Sequence, residues 1–194
     1  YNNEKGGDFL IQRKIHNDNY ETIDKTFSFT KGNLFGIFIA IPLIILCVFI
    51  YHIIYDNTPK SQSLLVIIGF IIGIFIHEFV HGFTWHIFCK EKWKNIKFEI
   101  DKRTLSPYAT CSEILPINQY RLGALMPIII TGVLPYIIGL ILNNSTIVYI
   151  GVFLISAGVG DLMILFNIMK EKSTSYCIDH PTLCGCTIYR RQNK

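Results

Sequence analysis

Apolar residues run without a polar face through four long stretches of the chain: Leu34 to Tyr55, Leu64 to Cys89, Leu122 to Leu142 and Thr146 to Met169. A helix needs roughly 20 apolar residues to cross the hydrocarbon core of a bilayer, and each stretch is long enough. The buried helices of a soluble protein would leave amphipathic neighbours to meet water, and four continuous apolar runs leave none. The pattern therefore predicts four transmembrane helices.

The composition of the 194 residues supports this interpretation. Hydrophobic residues make up 51% and charged residues only 16%, and the mean hydropathy is +0.38. These values exclude disorder and a small disulfide scaffold, and they disfavour a water-soluble monomer. The net charge of +4 is too small to indicate a nucleic-acid partner. We therefore expect the protein to be embedded in a lipid bilayer and to bind no nucleic acid.

The positive charges predict how the spans are oriented. Of the 18 Lys and Arg residues, all except Lys60 lie before the first span, between the second and third, or after the fourth. The positive-inside rule then places both termini and the loop 90–121 in the cytoplasm. We expect a multi-pass protein of the cell membrane, with an N-terminal segment 1–33, a membrane core 34–169 and a C-terminal tail 170–194.

The first span is not interpreted as a targeting segment. It begins after about 33 polar residues and is of full length, whereas a cleavable signal peptide has a short apolar run near the start. The sequence begins with Tyr1 and not with Met, which leaves the position of the natural N-terminus open.

The loop between the second and third spans has a different pattern. Apolar and charged residues alternate from Ile96 to Asp101, as in a half-buried strand, and Leu105 to Cys111 returns as a second strand, with Pro107 favouring an edge position. The predicted fold is therefore an all-α integral membrane protein of four transmembrane helices with a small cytoplasmic β-hairpin.

Two carboxylates remain inside the spans, Glu78 and Asp161. An ionisable side chain at the centre of a membrane helix costs about 2.5–3.5 kcal/mol on insertion scales, so both need a compensating partner. A bound cation is the obvious candidate.

Glu78 belongs to the HExxH pattern His77-Glu78-Phe79-Val80-His81. Helix positions four apart differ by about 40°, so His77 and His81 project from one face and can bind one metal ion. Glu78 lies about 100° away, within reach of a water molecule beside the metal. The alternative is that both histidines are hydrogen-bonded core residues.

Asp161 is the candidate third ligand. It lies 15 residues after Thr146, and the two histidines lie 13 and 17 residues after Leu64. If both spans run in the same direction, the three side chains lie at one depth. Catalytic zinc sites use three protein ligands and leave a fourth position for water, so the sequence predicts one Zn²⁺ ion. Gly82, Gly158 and Gly160 are expected to permit close helix approach.

The cysteines and prolines give weaker indications of structure and function than the HExxH motif does. Thiols on the cytoplasmic side are normally reduced, so no disulfide framework is expected. A metal site in the tail stays open as an alternative, although its spacing is not that of a zinc knuckle; its residues would be Cys177, His180, Cys184 and Cys186. Pro127 and Pro135 predict a kink or break in the third span, either bordering a wet cavity or simply bending the helix.

With these motifs the chain resembles site-2 proteases in plan. It is more closely similar to a family of small multi-pass bacterial membrane proteins described as zincin peptidases of unknown function. The resemblance rests on His77-Glu78-x-x-His81-Gly82, on Gly160-Asp161, and on Asp179-His180-Pro181 followed by Gly185. Site-2 proteases typically place their late Asp in Leu-Asp-Gly, whereas here Gly precedes the Asp.

The resemblance implies an intramembrane zinc-dependent endopeptidase that acts on a membrane-associated protein or peptide. His77, His81 and Asp161 would be zinc ligands, and Glu78 would be the general base and acid. Site-2 proteases are thought to hold substrates in extended form beside a hairpin, and Ile96 to Cys111 is the equivalent candidate. The alternatives are a catalytically inactive zinc-binding protein that acts as a binding or regulatory partner, and a redox or transport protein.

Overall fold

The computed structural model describes residues 20–191, and residues 1–19 of the predicted N-terminal segment lie outside this range. A short 3₁₀ turn (Lys92–Asn95) precedes the second strand, and a π-helix (Ile128–Val133) separates the third and fourth α-helices. The strands are β1 (Tyr20–Phe27), β2 (Ile96–Ile100), β3 (Pro107–Cys111), β4 (Leu115–Pro116), β5 (Tyr176–Asp179) and β6 (Cys184–Arg191). The helices are α1 (Phe29–Ile54), α2 (Ser63–Phe88), α3 (Ile117–Pro127), α4 (Leu134–Ile141), α5 (Ser145–Ala157) and α6 (Val159–Ile168).

The helices reproduce the apolar stretches of the sequence. Within the described residues, α1, α2 and the continuous helix Ile117–Ile141 are each long and apolar enough to cross a membrane. The pair α5 and α6 becomes a fourth span if it is counted as one helix, with a bend of 42° between its halves. Large apolar side chains such as Phe38, Ile45 and Phe75 are exposed on these helices, which is compatible with contact to lipid.

The prediction of an all-α fold is wrong, because the segments flanking the helices form a sheet. Its four strands are ordered β1-β6-β5-β4, and β1 pairs antiparallel with β6 from Tyr20↔Arg191 to Phe27↔Cys184. The β-branched and aromatic residues of the tail, such as Ile178 and Ile188, suit this pleated, half-buried surface. The N-terminal segment and the tail therefore share one sheet.

The predicted hairpin is confirmed. Strands β2 and β3 pair antiparallel from Ile96↔Cys111 to Ile100↔Pro107. Its apolar face lies on α2 at Gly82, where an added Cβ would approach Phe98 to 2.5 Å and Ile96 to 2.9 Å. Gly82 thus admits the hairpin, and the prediction that it permits approach of another helix is corrected.

Two apolar clusters hold these parts together. One fills the space between the four-stranded sheet and the ends of α2, α3 and α6, and includes Trp85, Tyr120 and Ile188. The other lies at the opposite end of the helices, around Tyr51 and Val152. The first cluster fixes the ends of the helices that position the HExxH motif.

Candidate metal centre

The two histidines of the HExxH motif lie on one buried face of α2, as their spacing predicts. His77 is 6% exposed and His81 is 4% exposed, and their ring centroids are 5.0 Å apart. Burial of two imidazoles among helices requires partners for their ring nitrogens, and each nitrogen has one.

Asp161 reaches these histidines because the chain bends by 42° between α5 and α6. The helix changes direction at Gly158, whose carbonyl accepts the N–H of Asp161 in the first turn of α6. One carboxylate oxygen of Asp161 lies 2.9 Å from Nε2 of His77, and the other lies 3.3 Å from Nε2 of His81. The structure thus brings together the three side chains that the sequence places at one depth.

The other ring nitrogen of His77 is held by the π-helix between α3 and α4. Its Nδ1 lies 3.2 Å from Oγ1 of Thr131. The Thr131 hydroxyl already donates to the carbonyl of Pro127 at 2.7 Å, so it accepts from His77 and the proton of His77 lies on Nδ1. The lone pair on Nε2 then faces Asp161.

His81 is fixed in the same tautomer. Its Nδ1 donates to the carbonyl of Gly123 at 3.0 Å, which again leaves the Nε2 lone pair towards Asp161. Hydrogen bonds of this kind, from Nδ1–H to a carbonyl or hydroxyl, commonly fix the orientation and the basicity of histidine ligands.

These contacts test whether a metal ion fits the site. The Nε2 atoms of two imidazoles and a carboxylate converge within 2.9–3.3 Å, and contacts this short need a cation among them, either a proton on an imidazole or a metal ion. Two histidines and a carboxylate are a common ligand set of catalytic zinc. The arrangement therefore fits a zinc ion held by His77, His81 and Asp161.

Glu78 lies beside the two histidines. One carboxylate oxygen of Glu78 lies within 4.8 Å of ring nitrogens of both His77 and His81, and the backbone N–H of Ala109 on β3 interacts with the carboxylate. The side chain is half-buried and borders both the central cavity and an apolar groove beside the hairpin. Glu78 is therefore near the candidate metal position and accessible to a small molecule.

A cavity of about 270 Å³ opens in front of these residues. Its walls come from α2, the edge of β3, the start of α6 and the turn between β5 and β6. Because β3 forms part of this wall, the hairpin lies directly beside the HExxH motif.

Asp179 is a residue of this wall that the sequence analysis did not assign to the site. Its carboxylate accepts from the Tyr120 hydroxyl at 2.6 Å and from the Cys111 N–H at 2.7 Å. Burial raises the pKa of Asp179 to about 6, against the effect of these two hydrogen bonds. Asp179 thereby joins the tail sheet to α3 and to β3, and its place in Asp179-His180-Pro181 was the available signal.

The possible tail metal site does not form in the described part of the chain. The group of candidate ligands found there consists of His77, Glu78 and His81. His180 instead uses Nδ1 to accept the backbone N–H groups of Thr182 and Leu183. Its role in the structure is to stabilise the turn between β5 and β6.

Thr131 and Gly123, the partners of the histidine Nδ1 atoms, are not predicted from the sequence. Both are small and neutral, and such residues are frequent in membrane helices, so neither is conspicuous in an apolar stretch. The signal was Pro127, which lies four residues from each of them.

Fold and site together define a protein of long apolar helices and two β-sheets that carries an HExxH motif of the zincin type. The model of the family described as "Putative zincin peptidase" matches residues 70–176, more than half of the chain. The chain belongs to this family. It has no match among curated proteins or among solved structures.

Proposed function

We propose that the protein is a zinc-dependent endopeptidase whose active site lies within the membrane. The observation that carries the proposal is the convergence of His77, His81 and Asp161, with Nε2-to-carboxylate distances of 2.9 and 3.3 Å. Membership of the zincin peptidase family supports a metallopeptidase.

The residues of the site have separable roles in this proposal. His77, His81 and Asp161 hold one zinc ion, which when bound supplies Lewis-acid chemistry that polarises a peptide carbonyl and acidifies water. Glu78 takes the proton from the attacking water and passes it to the leaving amine. Its nearness to both histidines supports this role.

The apolar helices support a location in the membrane. The HExxH motif lies in α2, one of the helices long enough to span a bilayer, and Asp161 lies in the bent fourth span. We further propose the orientation given by the positive charges, with both termini and the hairpin on the cytoplasmic side.

The proposed substrate class is supported by the edge of β3 that faces away from β2. The N–H of Ser112 bonds to Asn95 O, and that of Asp101 bonds to Ser106 O. Hydrogen-bonded pairs alternate along an antiparallel ladder, so the N–H groups of Ala109 and Cys111 are directed away from β2.

This edge runs along the wall of the cavity. The Cys111 N–H is occupied by Asp179, and the Ala109 N–H is directed to the Glu78 carboxylate. A membrane-associated protein or peptide in extended form could add to the edge at Ala109 by main-chain hydrogen bonds that replace Glu78 as the partner of this N–H. That position would bring a peptide bond close to Glu78.

Metal analysis combined with one substitution tests the proposal. Wild-type protein and Glu78→Gln, purified in detergent, should both contain about one zinc per chain. Only the wild type should produce new peptide ends when membrane proteins from cells with either form are compared. A wild-type protein without zinc would contradict the proposal, and zinc without proteolysis would favour the alternative of a non-catalytic binding protein.

A further inference from the structure

The third span contains a proline at the point where it contacts the two histidines. Pro127 is fully buried, and it is the last residue of α3 before the π-helix. In a regular helix the N–H of residue 127 would bond to the carbonyl of residue 123. Proline has no N–H, so this bond cannot form.

The next backbone donor does not replace the missing one. The N–H of Ile128 bonds to the carbonyl of Leu125. The carbonyl of Gly123 is thus left without its helical donor, and it accepts Nδ1–H of His81 at 3.0 Å.

Gly123 also lets α2 come close enough for this bond. A Cβ atom at Gly123 would lie 1.9 Å from Nε1 of Trp85, one helical turn beyond His81. The indole of Trp85 stacks on His81, with 5.3 Å between ring centroids and 24° between planes. The imidazole is therefore held from the side by Trp85 and at Nδ1 by the Gly123 carbonyl.

Pro127 is connected to the second histidine as well. Its own carbonyl accepts the Thr131 hydroxyl at 2.7 Å, which fixes the Thr131 oxygen as the acceptor for Nδ1–H of His77. Position 127 is thus connected to both imidazoles, because its missing N–H leaves the Gly123 carbonyl free for His81 and its carbonyl orients the Thr131 hydroxyl that accepts from His77.

We propose that Pro127 is a positioning residue of the metal centre, which sets the tautomer and orientation of His77 and His81 from the neighbouring helix. In this view the interruption of the helix at Pro127 provides an acceptor, rather than merely bending the span. The inference rests on the metal site of the proposed function.

Pro127→Ala is the direct test, because alanine restores an N–H that competes with His81 for the Gly123 carbonyl. Loss of a hydrogen-bond partner behind a histidine ligand typically weakens metal affinity about 10–100-fold, and we expect a loss in this range. Zinc affinity is measured on the full chain in detergent micelles by competition with a chromophoric chelator. Pro42→Ala is the matched control, since Pro42 lies inside α1 with its side chain exposed, and it should leave zinc affinity unchanged.

A second measurement keeps the inference testable if Pro127→Ala does not fold. In zinc-loaded wild-type protein with ¹⁵N-labelled histidine, the Nδ1–H protons of His77 and His81 should be protected from exchange with solvent. In folded Pro127→Ala the protection of His81 should fall.

The outcomes separate the inference from the proposed function. Wild-type protein that binds no zinc would contradict both. Wild-type protein that binds zinc, with Pro127→Ala within about threefold of its affinity or with unprotected Nδ1–H protons in the wild type, would overturn the inference alone.

Discussion

Nε2 of His77 lies 2.9 Å from a carboxylate oxygen of Asp161, 84 residues later in the chain. The contact joins α2 to α6, and Asp161 supplies the site with a negative charge. Asn in place of Asp161 keeps the shape of the side chain and removes its charge. Asp161→Asn should therefore lower zinc affinity by more than about 100-fold, which is the largest loss typical when a residue that only hydrogen-bonds to a ligand is replaced.

The zinc content of Asp161→Asn after dialysis against buffers of defined free zinc checks this expectation. Asp56→Asn, in the exposed connection between α1 and α2, is the control and should retain wild-type affinity. Equal affinity of Asp161→Asn and the wild type would remove Asp161 from the ligand set.

The helix that contributes Asp161 depends on the glycine at the bend. A Cβ atom at Gly158 would lie 2.6 Å from Cγ1 of Ile128 and 3.2 Å from Cε1 of His77. Gly158→Ala should therefore lower the free energy of unfolding by about 1–3 kcal/mol, as overpacking commonly does, and should also weaken zinc binding because the imidazole must move.

Gly160→Ala is a matched control for this substitution. An added Cβ at Gly160 meets no atom within 4 Å, and alanine has less backbone entropy to lose than glycine on folding, so Gly160→Ala should not destabilise the protein. Thermal unfolding of both variants, with and without zinc, measures the difference. If both behave alike, the contact of Gly158 with His77 has no energetic importance.

The sequence alone predicts which side chains come together at the candidate site better than it predicts the fold. Helix periodicity, the scarcity of charges in the spans and the matching depths are local properties, and they lead to His77, His81 and Asp161 without knowledge of any contact. The four-stranded sheet depends on pairing between Tyr20 and Arg191. The order of apolar and polar residues within one strand does not reveal a partner strand so far away in the sequence. The sequence pattern therefore predicts an all-α fold and misses this sheet.

Thr131 illustrates the part of the site that sequence patterns miss, and it provides the third prediction. Thr131→Val keeps the volume but removes the acceptor for Nδ1–H of His77. The histidine then loses its fixed tautomer, and zinc affinity should fall about 10–100-fold. Competition with a chelator measures this loss.

Thr84→Val controls for removal of a buried hydroxyl on α2. The Thr84 hydroxyl donates at 2.7 Å to the carbonyl of Val80 in its own helix and contacts neither histidine nitrogen. Its zinc affinity should equal that of the wild type. A similar loss in both variants would indicate a general loosening of the helices.

The connection between the sheet and the end of α6 predicts a pH dependence of stability. Glu171, with a side chain 3% exposed, accepts from Arg190 at 2.8 and 3.0 Å, and Arg190 lies on β6. These hydrogen bonds lower the pKa of Glu171 below its ordinary value of 4.5. Because the folded-state pKa is the lower one, the stabilisation is present above about pH 4.5 and is lost as the pH falls through the folded-state pKa.

Glu171→Gln should therefore lower the Tm at pH 7, where hydrogen bonds to a charged partner contribute about 1.5–3 kcal/mol. The difference from the wild type should shrink as the pH is lowered towards 4. Glu91→Gln removes an exposed pair with Lys94 and should change the Tm little at either pH. A Tm difference for Glu171→Gln that is constant over this range would contradict the charge-dependent connection.

The last prediction concerns the strand edge at which the substrate is proposed to bind. Ala109→Pro removes an N–H that is directed away from β2 and towards Glu78, so the ladder of the hairpin keeps its hydrogen bonds while the edge loses its donor. Cleavage should fall by at least about tenfold, which is the effect of losing 1.4 kcal/mol, while the zinc content stays at the wild-type level. Ile100→Pro is the control, because Ile100 belongs to the same kind of pair on β2 and its N–H is directed away from β3. Turnover by Ala109→Pro equal to that of Ile100→Pro, with zinc bound in both, would show that substrate does not bind as a strand at this edge.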